Sequence, residues 1–168
     1  MSEKPERVVR LGARFVAFLL VAGGGLGILA SVQMTVHFVH EDRVDRLLVA
    51  LLSIPVFAWS AVKGVDLWRG RPTGYWWAKL LFSLQIPAVC VSRLTYEFST
   101  GMSARVLFGH SNRRFGADIG SSLNFLISPE PLGWMLGVNL LAVIVVLYLF
   151  RVTRRADRAI QGLEPPSV

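Results

Sequence analysis

The chain has 168 residues, is 53% hydrophobic and only 17% charged, and carries a net charge of +7. Soluble domains carry about 25% charged residues, so one domain's length of so apolar a chain argues against an ordinary soluble globule. Its basic excess flanks apolar blocks and lacks zinc-finger or RNA-binding spacing, which argues against nucleic acid and for membrane lipids as the first partner.

Two counts narrow the setting. A single cysteine, Cys90, excludes an intrachain disulfide and paired-thiol redox chemistry. Arg outnumbers Lys fifteen to three, which suggests the codon usage of a GC-rich bacterial genome.

In chain order, residues 1–11 form a polar, basic cytoplasmic segment. An apolar run follows at about 12–34. It is too long for a signal-peptide core and lacks a small-x-small cleavage site, so it reads as a retained anchor. Further apolar runs lie at about 47–67, 76–94 and 132–150. Each approaches the ~20 residues that a helix needs to cross a bilayer. The expected fold is therefore a single all-α membrane domain of four transmembrane helices. Residues 151–168 start basic and form a cytoplasmic tail, its end expected to be disordered.

Basic residues orient these spans. Lys4, Arg7, Arg10 and Arg14, then Lys63, Arg69, Arg71 and Lys79, then Arg151, Arg154, Arg155 and Arg158 fall on one side, two-thirds of the total. The positive-inside rule places both termini in the cytoplasm of a bacterial inner membrane. Trp68, Tyr75, Trp76, Trp77 and Tyr148 sit toward that side, and Tyr96 and Trp134 toward the other, as in an aromatic belt.

The long loop at about 95–131 then lies outside. Within it, 102–127 alternates with period two: Met102, Ala104, Val106 and Phe108, then Phe115, Ala117, Ile119, Ser121, Leu123, Phe125 and Ile127, share one face. A β-hairpin is expected here. Centring the turn on Ser111-Asn112 sets Phe108 opposite Phe115 and pairs Arg105 with Asp118. A one-residue slip would put the two apolar stripes on opposite faces. An isolated hairpin is marginal in water. It either caps its own bundle or docks a partner, which would be another membrane or periplasmic protein or a second copy.

Few residues suggest chemistry. Ser83 and Gln85 precede Pro87 in the third run, and Asn139 lies in the fourth. They read either as groups satisfying backbone loosened at a proline kink or as a polar path of a small transporter or channel subunit. Gly23, Gly27 and Ser31 form a small-residue row for close helix packing, within the bundle or between copies. His37 and His40, with Glu41, are the candidate metal ligands, and the alternative is a solvated interface. No cofactor and no catalytic residue is expected, because no hydrolase, metalloprotease or nucleotide-binding motif occurs. The leading expectation is a non-catalytic accessory or assembly protein. A transporter or channel subunit is the first alternative, and a metal or redox subunit using His37 and His40 the second.

Overall fold

A computed structural model describes residues 4–40, 44–109 and 113–160. Side chains are described for a subset of these, which excludes 4–10, 45, 113–114, 126–132 and 155–160. Four helices and four strands follow the chain as α1 (Lys4–His40), α2 (Val44–Trp68), α3 (Pro72–Leu84), β1 (Pro87–Ser99), β2 (Met102–Gly109), β3 (Arg113–Ile119), β4 (Ser122–Asn139) and α4 (Leu140–Ile160).

The expected all-α, four-span fold is wrong. Among the described residues, two helices are long and apolar enough to cross a membrane, Leu11–His40 in α1 and Arg46–Trp68 in α2. The expected third span, 76–94, runs from α3 into β1, and the fourth, 132–150, runs from β4 into α4. At 1.5 Å per residue, the 13 residues of α3 reach only ~20 Å, short of a ~30 Å hydrocarbon core.

The local chemistry explains both junctions. Pro87 has no N–H for a helix and biases Ile86 away from helical backbone. Beyond it come Val89, Val91, Thr95, Tyr96 and Phe98, the β-branched and aromatic types that suit a pleated surface. Ahead of α4, Gly133 and Gly137 weaken any helix. Asn139 then starts α4: its Oδ1 accepts the Ala142 N–H at 3.3 Å, three residues on, as an N-cap does.

The strands form one antiparallel sheet in the order β1-β4-β2-β3. β1 and β4 run as a long ribbon from Pro87↔Val138 to Ser99↔Ser122. The ribbon is irregular on either side of Ser92, whose φ is +53°. The facing stretch of β4 contains Pro129 and Pro131, which cannot donate to a ladder.

Of the expected hairpin at 102–127, strands at 102–109 and 113–119 are present with the predicted parity, but the second does not run on to 127: the chain turns at Gly120–Ser121 and 122–127 pairs with β1 instead. The register differs by two residues: Val106 faces Phe115, Ala104 faces Ala117 and Met102 faces Ile119. Arg105 therefore lies opposite Gly116, and Asp118 opposite Ser103, so the expected Arg105–Asp118 pair is not made. The hairpin is also not a free-standing outer element. β2 has a second neighbour, with Arg105 opposite Asn139 on β4, and that ladder adds a constraint the hairpin alone lacks.

The helices pack first in pairs. α2 ends in a Schellman motif, with Gly70 (φ +72°) donating to Leu67 O at 2.9 Å and Arg71 N–H to Asp66 O at 3.0 Å. Asp66 also accepts from Lys63 Nζ at 3.1 Å and Arg71 Nη1 at 2.8 Å, which fixes the turn into α3. The core joins Ala17 and Leu20 of α1, Phe57 and Leu67 of α2, Phe82 of α3 and Leu149 of α4. Cations cover aromatic rings at the same end, Lys63 over Trp59 at 4.7 Å and Lys79 over Phe150 at 4.9 Å. The sheet meets the same helices through Phe98 of β1, whose ring lies 6.0 Å from that of Phe57 on α2.

Candidate functional site

The two points where helix becomes strand are joined to each other. Asn139 N–H donates to Ile86 O at 2.9 Å, directly beside the Pro87↔Val138 pair. Around this joint lies a buried polar layer. Gln85 is 1% exposed and Thr100 is fully buried. The Gln85 amide grips Thr100 at both ends: Nε2 donates to Oγ1 at 2.9 Å, and Oε1 accepts the Thr100 N–H at 3.1 Å. Tyr96 reaches the same helix end, its hydroxyl donating to Leu84 O at 2.8 Å. Burial of that phenol raises its pKa above the usual tyrosine value.

Asn139 serves two elements at once. Its Oδ1 accepts from Ala142 N–H and from Ala104 N–H at 3.2 Å, tying α4 to β2. Its Nδ2 is buried with no acceptor, and so is Nη2 of Arg105, its cross-strand neighbour. Arg105 pairs through Nη1 with Glu97 of β1.

The sheet's turns seat on α1. Gly101, with φ +81°, lies between β1 and β2 against Leu19 O, and Gly120 N–H donates to Gly101 O at 2.9 Å. Ser121 Oγ donates to Gly23 O at 2.6 Å and accepts the Gly101 N–H at 3.1 Å. A side chain on Gly23 would collide with the Gly101 backbone. Gly27 and Ser31 instead face α2. Gly27 makes room for the Phe57 ring, and Ser31 Oγ lies 2.6 Å from Ser53 Oγ. The small-residue row thus divides between two contacts inside the chain.

The remaining sequence candidates disperse. Ser83 is exposed, apart from Gln85's buried clasp. His37 and His40 are both exposed, and His40 Nδ1 lies 2.8 Å from Val36 O. Glu41 lies outside the described residues. Among the described residues, no group of three His, Cys, Asp or Glu side chains is placed to hold a metal ion. Cys90 sits on β1 beside the ribbon's irregularity, its Sγ 3.5 Å from Gly133 O.

What sequence reasoning missed is how unevenly the apolar face is covered: Met102 packs against the core, while Phe108 and β3 stay open. Phe108, Phe115 and Ile119 share the apolar face and are 44%, 70% and 77% exposed. The opposite face of β2 buries Ser103, and the Arg105 side chain retains only 13% exposure. β3 is also an edge strand, paired on one side only. Period two reports that two faces differ. On β2 the inward face is fixed by Glu97, eight residues back, and by Asn139, remote in sequence.

Comparison with protein-family models, curated proteins and solved structures finds no match for this chain.

Proposed function

We propose that this is a non-catalytic membrane protein, anchored by α1 and α2, whose sheet docks another polypeptide along β3. The observation that carries this reading is the apolar face left exposed at Phe108, Phe115 and Ile119 beside β3, an edge strand of the sheet. Exposed Phe108, Phe115 and Ile119 call for an apolar cover. Acyl chains supply one, but they offer nothing to the unpaired N–H and C=O groups of β3. An added strand satisfies both needs, by main-chain pairing and by side chains that lie over the apolar face.

The reading places the chain in a bacterial inner membrane with two crossings. Both termini are cytoplasmic, since α4 returns to the end where α1 begins, where the three basic groups gather. The buried layer at Gln85, Thr100 and Asn139 is then a structural joint.

The test uses Ala117→Cys in a Cys90→Ser background, in native membranes with a short bifunctional thiol reagent. The expected result is a discrete adduct, with a partner or with a second copy, that Gly116→Pro abolishes. Free alkylation of the new thiol at the rate of an exposed cysteine, with no adduct, would overturn the proposal.

A further inference from the structure

A cavity of about 420 Å³ lies between α1, α2 and the turn and strand at residues 121–125, away from the β3 edge. Its floor is Phe57, beside the Ser31–Ser53 hydroxyl pair. Those hydroxyls are occupied with each other and with Gly27 O and Ala50 O, both at 2.7 Å, so they present little unmet polarity. Met34, Val49, Leu123 and Phe125 supply apolar wall. At the opposite end stands Arg46, among the described residues the one charged side chain lining the space, its guanidinium 5.8 Å from the Phe38 ring centre.

The dimensions are those of a chain. Arg46 and Phe57 are eleven residues apart on α2, about 16 Å along the helix. The volume spread over that length gives a section of about 25 Å², the width of one extended hydrocarbon chain. Binding pockets of this size usually combine an apolar lining with few polar anchors. Here the polar anchors, Arg46 and the exposed Asn124, lie apart from the apolar floor.

We infer that this cavity binds a single acyl chain ending in an anionic head, with the chain on Phe57 and the carboxylate or phosphate on Arg46. Arg46 offers a planar fork suited to either anion. A free fatty acid and one chain of an anionic phospholipid share this chemistry. The site is separate from the β3 edge, and its test does not depend on partner docking.

The experiment uses the full chain in membranes with two probes, a diazirine-bearing palmitic acid and a phosphatidylglycerol bearing the same group on one acyl chain. Adducts are mapped by mass spectrometry. Labelling is expected within 30–38 and 46–57 at cavity-lining positions, and unlabelled palmitate or phosphatidylglycerol should compete. Arg46→Glu should lower it roughly tenfold, the ratio that one charge-assisted contact carries, while Arg46→Lys retains most of it. Ala30→Phe, which fills the space, should abolish it. Labelling by the acid alone assigns a free fatty acid, by the phospholipid alone a lipid, and by both the shared chemistry. Labelling confined to the outward residues Leu29, Leu48 and Leu52, or unchanged in Arg46→Glu, would mean ordinary bilayer contact and overturn the inference. If Ala30→Phe fails to fold, the two Arg46 variants decide the question alone.

Discussion

Replacing Gln85 by Leu tests the joint between helix and sheet. Leu is close in volume, so packing changes little and the effect isolates hydrogen bonding. Gln85 is 1% exposed, and both ends of its amide bond to Thr100, at 2.9 and 3.1 Å. The substitution removes two hydrogen bonds and leaves the Thr100 N–H buried and unpaired. An unpaired buried donor costs about 1–3 kcal/mol, and each net bond about 1 kcal/mol, so the expected loss is roughly 2–4 kcal/mol. Thr100→Val removes only the hydroxyl contact and should cost about 1–3 kcal/mol by the same reasoning. The double variant no longer strands the Gln85 Nε2, so the two losses should not add. A coupling of about 1–2 kcal/mol is expected in the double-mutant cycle. The assay is reversible unfolding in mixed micelles at fixed lipid composition. Additive losses, with coupling below about 0.5 kcal/mol, would refute the clasp and return Gln85 to the role of a group lining a polar path.

Three further outcomes follow from the same geometry. Gly23→Ala should destabilise by about 1–3 kcal/mol, because its methyl meets the Gly101 backbone, whereas Gly25→Ala, with nothing near it, should be neutral or slightly stabilising; paired thermal unfolding midpoints check this. Asn139→Ala should cost at least the ~1 kcal/mol of a helix cap, and Asn139→Asp should recover it by keeping the cap and setting a carboxylate beside Arg105; both are read by unfolding at neutral pH. Glu97→Ala leaves the Arg105 guanidinium largely buried without its carboxylate, an expected loss of about 1–2 kcal/mol after discounting for Glu97's partial exposure, and Arg105→Met in that background should restore part of it.

The places where sequence reasoning failed share a cause. Hydropathy scores an apolar strand and an apolar helix alike. "IPAVCV" and "LGWMLGV" therefore extended the 13-residue α3 and the apolar first half of α4 into apparent spans. Pro87 was legible as a disturbance, but a proline kink and a helix end look the same until the following residues find a ladder. Asn139 was legible as a costly polar group. Its role as a cap appears only once β4 ends beside it. Arg105 was expected to pair with Asp118, but the carboxylate is Glu97, eight residues back across the reversal between β1 and β2.

By itself the sequence determined what is local. It specified two long apolar helices, the disturbance at Pro87, and the period-two alternation and parity that let β2 and β3 share an apolar face. Tertiary structure alone decided the pairing of β1 with β4, the two-residue register shift, and the inward turn of the polar face. The physical reason is that periodicity reports side-chain direction only modulo two residues. The choice of strand partner, and of the face that meets the helices, rests on contacts such as Gly23 with Gly101 and Ala104 with Asn139, which no local window contains.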